Sequence, residues 1–303
     1  FFGVSGVVFY NMGSGILRAV GDSRRPLVFL IISALLNTAL DLVFVLALGM
    51  KVNGVALATI LSQIISAALI LLTLTREHRA YGIRWRRLTI DPPSLKGILR
   101  VGLPSSIQSA ITAFSNVFVQ SYINYFGDTC MAGYGIYNKV DAFVLIPVQA
   151  ISMSSTTFVG QNWGAQQRRR ARDGVGTALK MAILSILVLG TLVVALARPL
   201  LGFFSPVEEV VAYGQRFILI VTPFYFFLCF NQIYSGALRG IGDATAPTVI
   251  MLASFVVFRQ IYLAATKALG GGFLAVALAY PMGWILCSTL LIIRYRRSVL
   301  CRN

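Results

Sequence analysis

Long apolar runs recur along the chain, and short polar stretches separate them. They lie near Leu27–Leu48, Val52–Leu74, Ile98–Tyr125, Tyr134–Val159, Gly174–Ala197, Val210–Gly236, Thr248–Leu269 and Gly271–Ile293. Ahead of them, Phe1 to about Asn11 reads as the end of a further run. About twenty apolar residues in a helix cross the ~30 Å hydrocarbon core of a bilayer. The pattern therefore predicts an all-α, multi-pass membrane protein with about eight complete transmembrane helices and a partial first one. A soluble protein with several buried helices would not need so many runs of this length.

The pattern also repeats. Gly15–Pro26 reads GILRAVGDSRRP, and Gly236–Pro247 reads GALRGIGDATAP, an offset of 221 residues. The same offset carries Gly49 onto Gly270, Val55–Ala58 onto Val276–Ala279, and Arg76 onto Arg297. One offset held without a gap over some sixty residues points to a large duplicated unit. Locally the repeated stretch reads as a tight helix–turn–helix corner. Gly21 and Gly242 suit the left-handed end of a helix, and Arg18 and Arg239 sit in its last turn. Asp22 and Asp243 cap the next helix ahead of Pro26 and Pro247. The motif is structural and by itself binds nothing.

Six spans separate the two corners, so both copies share an orientation. That is the parallel-repeat plan of several secondary transporters. The second unit starts near Leu95–Pro104, after the charged linker Arg76–Pro93, which divides the chain into residues 1–90 and 91–303. Residues 1–90 are then the end of one lobe (the end of its fourth helix, its fifth and sixth helices and the linker), and 91–303 a complete six-helix lobe. Carrying the offset back puts the start of the first unit roughly 120 residues before Phe1. With no initiator Met in the sequence, the expectation is a truncated chain from a twelve-helix, two-lobe protein.

Composition supports the membrane reading: 57% of the residues are hydrophobic and 12% charged. The net charge of +16 would suit a nucleic-acid binder, but its distribution argues otherwise. If the chain weaves from a cytoplasmic Arg18 corner, twenty Lys and Arg fall on that side. Only Lys51, Arg198, Arg216 and Lys267 fall on the other. This is the positive-inside bias, and it makes the basic run Gln166–Arg172 a topology signal. The basic loops then lie on the cytoplasmic side, and the bilayer is a partner. Neither nucleic acid nor an obligate protein partner is implied.

Enzyme chemistry is nearly absent. His78, the one histidine, lies in the basic linker and reads as solvated. The cysteines Cys130, Cys229, Cys287 and Cys301 lack metal-ligand spacing and read as unpaired. No nucleophile elbow, phosphate loop or carboxylate cluster is present, and no cofactor is implied.

Ionisable groups inside the spans therefore stand out. Asp41 lies within Leu27–Leu48, with Asn37 one turn earlier on the same face. Counting nine residues either way from Met50 reaches Asp41 and Thr59, so the three are expected at similar depth. A carboxylate, an amide and a hydroxyl offer hard oxygen ligands to a small cation, or a proton site with hydrogen-bonding neighbours. The alternative is an Asp that snorkels or pairs structurally. The duplication bears on this choice, because at the same offset Asn37, Asp41 and Thr59 become Phe258, Tyr262 and Tyr280. The corner is kept in the second copy and the polar trio is not. The second half has its own membrane-embedded groups: Asn138, Lys139, Asp141 and Arg259. With Tyr262, Tyr280 and other aromatics, including Tyr134, Tyr137 and Tyr225, they can line a substrate cavity, although each aromatic alone equally suits lipid or helix packing.

Five motifs, LRAVGDSRRP, LLNTALD, GVALAT, VGLPSSIQS and GQNWGAQQRRRA, occur in order along the chain. In these it resembles the multidrug and toxic compound extrusion (MATE) transporters, and most closely their DNA-damage-inducible branch. The resemblance implies export of small organic compounds, cationic drugs or metabolites above all, across the inner membrane of a prokaryote, driven by inward flow of Na+ or H+, with the cation site formed by Asn37, Asp41 and Thr59. It also implies a carboxylate on a first helix that this sequence does not contain. Some relatives place acidic residues in the second lobe, where Thr112 and Leu228 stand here, which argues against coupling at those positions. The rival within the superfamily is a lipid-linked oligosaccharide flippase, which needs a cationic cavity. Lys139 and Arg259 are few for that.

Overall fold

The computed structural model describes residues 3–77 and 81–301; His78 and Arg302 lie outside them. Two compact units emerge, Phe1–Asp91 and Pro92–Asn303. In the first, α1 (Val4–Ala19), α2 (Arg24–Leu42) and α3 (Lys51–Arg76) pack together, and a π-helical stretch, Val43–Ala47, extends α2. In the second, α4 (Pro92–Asn124), α5 (Asp128–Gly164), α6 (Arg168–Ala195), α7 (Ala197–Gly202) and α8 (Glu208–Val221) are followed by α9 (Tyr225–Gly240). Then come α10 (Thr245–Leu252), a second π stretch (Ala253–Phe258), α11 (Arg259–Ala268), α12 (Phe273–Ala277) and α13 (Ala279–Arg296).

Seven helical stretches among the described residues are long and apolar enough to span a membrane. The expected eighth, α4, has the length at 33 residues but is less apolar. Its Gln108 accepts from Thr248 and donates to the Met251 sulfur at 2.9 Å, and its Ser115 donates to the Phe255 carbonyl. Those polar side chains serve neighbouring helices. The partial first helix runs past the apolar stretch to Ala19, with Arg18 in its last turn as the corner motif predicts. Its Gly6 and Gly13 lie against α3, where a Cβ would meet the Gln63 backbone at 3.0 Å and the Ile70 side chain at 2.9 Å. Small residues hold membrane helices at such close range.

The duplication is visible in the element bounds. Shifted by 221 residues, Val4–Ala19 falls on α9, Tyr225–Gly240, at both ends. Arg24–Ala47 falls likewise on Thr245–Ala268. The corners match in detail. Gly21 and Gly242 take φ +89° and +85°, and Gly49 and Gly270 take φ +63° and +66°. Asp22 N–H donates to the Leu17 carbonyl and Asp243 N–H to the Leu238 carbonyl, both at 2.9 Å, which closes the last turn of each helix. The Asp22 and Asp243 carboxylates then accept from Arg25 N–H and Ala246 N–H, starting the next helix.

In the second unit α5 is the central helix, packed on α6, α8 and α9, and Val140, Val144 and Val148 are buried along it. Pro223 breaks the run from Val210 to Gly236 with a 3-10 turn at Thr222–Phe224. In the first unit the outer face of α2 is apolar and exposed, with Leu27, Leu30, Ile31, Leu35, Leu42 and Leu46 on it. A bilayer covers such a face without cost.

Candidate functional site

Asn37 and Asp41 lie on α2, four residues apart on one helical face and half-buried. Two of their polar atoms, Asn37 Nδ2 and Asp41 Oδ1, are shielded from solvent without a hydrogen-bond partner among the described residues. An unpartnered buried amide costs about 1–3 kcal/mol and an unpaired carboxylate more. Two such groups a turn apart make a local deficit of ligands. Thr59, on α3, donates to the Val55 carbonyl at 2.9 Å, which uses its proton and leaves its lone pairs free to accept.

Two contacts set the register of α2 on α3. Ser33 donates to the Ser62 carbonyl at 2.8 Å, and a Cβ on Gly54 would lie 2.9 Å from that of Phe44. These contacts bracket Asn37 and Asp41 on α2 and Thr59 on α3, so all three lie in the stretch where the two helices pack. The π stretch Val43–Ala47, with more residues per turn than an α-helix, lies between Asp41 and the turn at Gly49. A π stretch next to a buried carboxylate is also where helix backbone departs from regular bonding, as functional sites often require.

The second unit arranges the equivalent positions otherwise. Tyr262, at the place of Asp41, donates to the Ala275 carbonyl at 3.0 Å. Tyr280, at the place of Thr59, pairs with the Tyr134 hydroxyl. The Arg259 guanidinium lies 5.3 Å over the Tyr280 ring and donates to Ser115 Oγ and Asn116 Oδ1 at 3.0 Å each. Arg259 is 4% exposed, and its Nε has no hydrogen-bond partner among the described residues. Further along, Asp141 accepts from Tyr225 and, at 3.4 Å, from Tyr137, and those two phenols lie 3.3 Å apart. Phe217 stacks on Tyr137 and tilts against Tyr134.

Of the residues expected around a substrate cavity, the structure thus links Arg259 with Tyr280, and joins Asp141 to Tyr137 and Tyr225. It does not bring Lys139 to them: Lys139 is exposed and lies over the Phe204 ring at 5.3 Å. Asn138 is exposed on the same helix, and Tyr262 bonds only to backbone. A cavity of about 500 Å³ opens elsewhere in this unit, lined by Ser121, Tyr122, Tyr125, Phe126, Lys267, Gly270, Gly271 and Val276. Ser115 and Asn116 were not legible as partners of Arg259. They lie some 140 residues away in sequence, and small polar residues in an apolar helix point to no particular partner.

The MatE family profile matches residues 104–264, more than half of the 303. The chain belongs to the MatE family. MATE proteins are integral membrane transporters and not enzymes, and this one carries the membrane-spanning helices they require. Among curated relatives it is 28% identical over 298 residues to the "Probable multidrug resistance protein YpnP" of Bacillus subtilis (strain 168), covering 98% of this chain and 66% of that protein. It is 25% identical over 284 residues to the "FAD transporter" of Shewanella oneidensis, covering 91% of this chain and 62% of that protein. A Pyrococcus furiosus transporter of the MOP superfamily, described as having a binding pocket of reverse polarity, superposes with a TM-score of 0.93 at 23% identity. That match covers 99% of this chain and 68% of the other. The MATE chain spans two thirds or less of the length of these curated relatives.

Proposed function

We propose that the protein is part of a cation-coupled antiporter that exports small organic compounds, with Asp41, Asn37 and Thr59 holding the coupling H+ or Na+. The observation that carries this is the pair of unpartnered polar atoms, Asn37 Nδ2 and Asp41 Oδ1, on one face of an apolar helix. A proton on Asp41 removes its unpaired charge. Na+ instead takes oxygen ligands from Asp41, from Thr59 and from the Asn37 amide turned by half a rotation. Such a site couples transport when its cation and the substrate favour opposite-facing states, since each ligand shifts the equilibrium only by its differential affinity.

The test uses the full-length protein in vesicles with an imposed Na+ or H+ gradient and a fluorescent organic cation as substrate. Asp41→Asn keeps the shape but removes the titratable charge, and is expected to abolish gradient-driven efflux while still reaching the membrane. Wild-type gradient dependence in this variant overturns the assignment.

A second reading of the substrate rests on Arg259. One buried guanidinium with a free Nε suits an organic anion better than a cation, and a relative is named as an FAD transporter. Competition of FAD against the fluorescent cation in the same vesicles separates the two. Inhibition by FAD that disappears in Arg259→Gln supports the anion.

A further inference from the structure

The basic run Gln166–Arg172 has so far served only as a topology signal. In the structure α5 ends at Gly164, Gln166 turns the chain with φ +60°, and α6 begins at Arg168. The first turn of α6 contains no acidic residue, although the positive end of a helix dipole favours one. It carries Arg168, Arg169 and Arg170 instead, all exposed. Among the described residues, only Arg169 of the three reaches a carboxylate, Asp173 at 4.0 Å. Arg168 and Arg170 lie over the rings of Trp163 and Phe158, at 5.2 and 5.7 Å.

Two cavities meet at Arg170 and Asp173. One, of about 560 Å³, is lined by Gln166, Gln167, the three arginines and Asp173. The other, of about 540 Å³, runs between α5 and α6 past Ile151, Ser154, Ser155, Phe158, Thr177 and Met181. Its wall is shaped by Gly174, where a Cβ would meet the Phe158 ring at 2.3 Å, so only glycine lets the ring lie against α6. Ser155 lines this groove at 5% exposure, and its hydroxyl has no hydrogen-bond partner among the described residues.

We propose that this groove binds one anionic glycerophospholipid. The phosphate sits on Arg168 and Arg170 at the amino end of α6, and an acyl chain runs along Ile151, Phe158 and Met181. The glycerol ester carbonyl accepts from Ser155, whose hydroxyl lines the groove one turn deeper than Phe158. A basic end joined to an apolar groove between membrane helices is the chemistry that selects an acidic headgroup. A zwitterionic lipid brings its own cation to the arginines and gains less.

The experiment titrates delipidated full-length protein in detergent with phosphatidylglycerol or phosphatidylcholine of identical acyl chains, and counts bound lipid by native mass spectrometry. Phosphatidylglycerol is expected to bind at least about tenfold more tightly. Arg168→Gln with Arg170→Gln should lose about fivefold in that affinity per charge removed, with phosphatidylcholine unchanged. Arg172→Gln, outside both cavities, should keep the preference, and Ser154→Trp, which fills the groove, should weaken both lipids. Equal affinity of the wild-type protein for the two lipids overturns the proposal whatever the variants do. A preference that survives loss of both arginines overturns it equally.

Discussion

The helix pair α2–α3 and its repeat, the stretch from α10 to α13, have the same backbone plan and opposite interiors. Both open on a corner closed by a left-handed glycine and an aspartate cap, and both turn again at a second left-handed glycine. Within that shared frame the first copy leaves a carboxylate oxygen and an amide nitrogen unpartnered. At the equivalent positions the second copy has Phe258, Tyr262 and Tyr280, and both tyrosine hydroxyls are bonded. Its buried charge, Arg259, is held by Ser115, Asn116 and a ring face. Each π stretch lies beside the ionisable group of its helix, after Asp41 in one copy and before Arg259 in the other. A corner is specified by backbone chemistry and survives duplication, whereas polar interiors can diverge because the frame does not depend on them.

The comparison breaks most sharply at Asp41. Asp41→Asn should remove gradient-driven efflux to background, more than about tenfold, because the proposed coupling uses the titratable charge. Asn37→Ala and Thr59→Ala each remove one neutral ligand and should weaken efflux without abolishing it. Tyr262→Phe, at the place of Asp41, should leave efflux near wild type. A loss in Tyr262→Phe as large as that in Asp41→Asn would end the idea that the copies divide the work.

The second effect is structural. Arg259→Gln removes charge-assisted bonds to Ser115 and Asn116 and should destabilise by about 2–3 kcal/mol, read from the unfolding midpoint in detergent. Thr38 stands at the same place in the first copy and is exposed. Its only bond is to the Ala34 carbonyl within its own helix. Thr38→Ala should therefore cost less than about 0.5 kcal/mol.

The corners should respond alike. Gly21→Ala and Gly242→Ala each put a Cβ into a left-handed residue with open space around it, so the cost is backbone strain alone, about 1 kcal/mol in both. Unequal costs, measured in the same melting assay, would mean that the corners are not equivalent. The smallest effect is a gain. Lys51 has φ +46°, whereas Gly272 at the same place in the second copy has φ −79°, and Lys51→Gly should raise stability by up to about 1 kcal/mol.

Much of this was legible before any coordinates. Apolar runs mark helices because a bilayer admits few other structures, and the 221-residue repeat marks the corners because glycine and aspartate have local backbone roles. Asp41 stood out because charge is rare in a hydrophobic helix. The cavity expected around Lys139 and Arg259 fared differently. Sequence placed them in spans but not on faces, and the structure sends Lys139 outward to Phe204 and Arg259 into the core. The polar residues of α4 carried no sign of their partner, and the structure shows Ser115 and Asn116 serving Arg259.

By itself, then, the sequence determined which segments are helices, where they turn, and which of them repeat, since these depend on hydropathy and on residues acting within a turn of themselves. Only the tertiary structure decided what each buried polar group meets. It packed the part of α2 that carries Asn37 and Asp41 against the part of α3 that carries Thr59, through Ser33 and Gly54. It also joined Arg259 to Ser115 and Tyr280 and left Asp41 Oδ1 without a partner. Partners across helices are chosen by register and tilt, and those arise from packing over many residues at once, which no local pattern encodes.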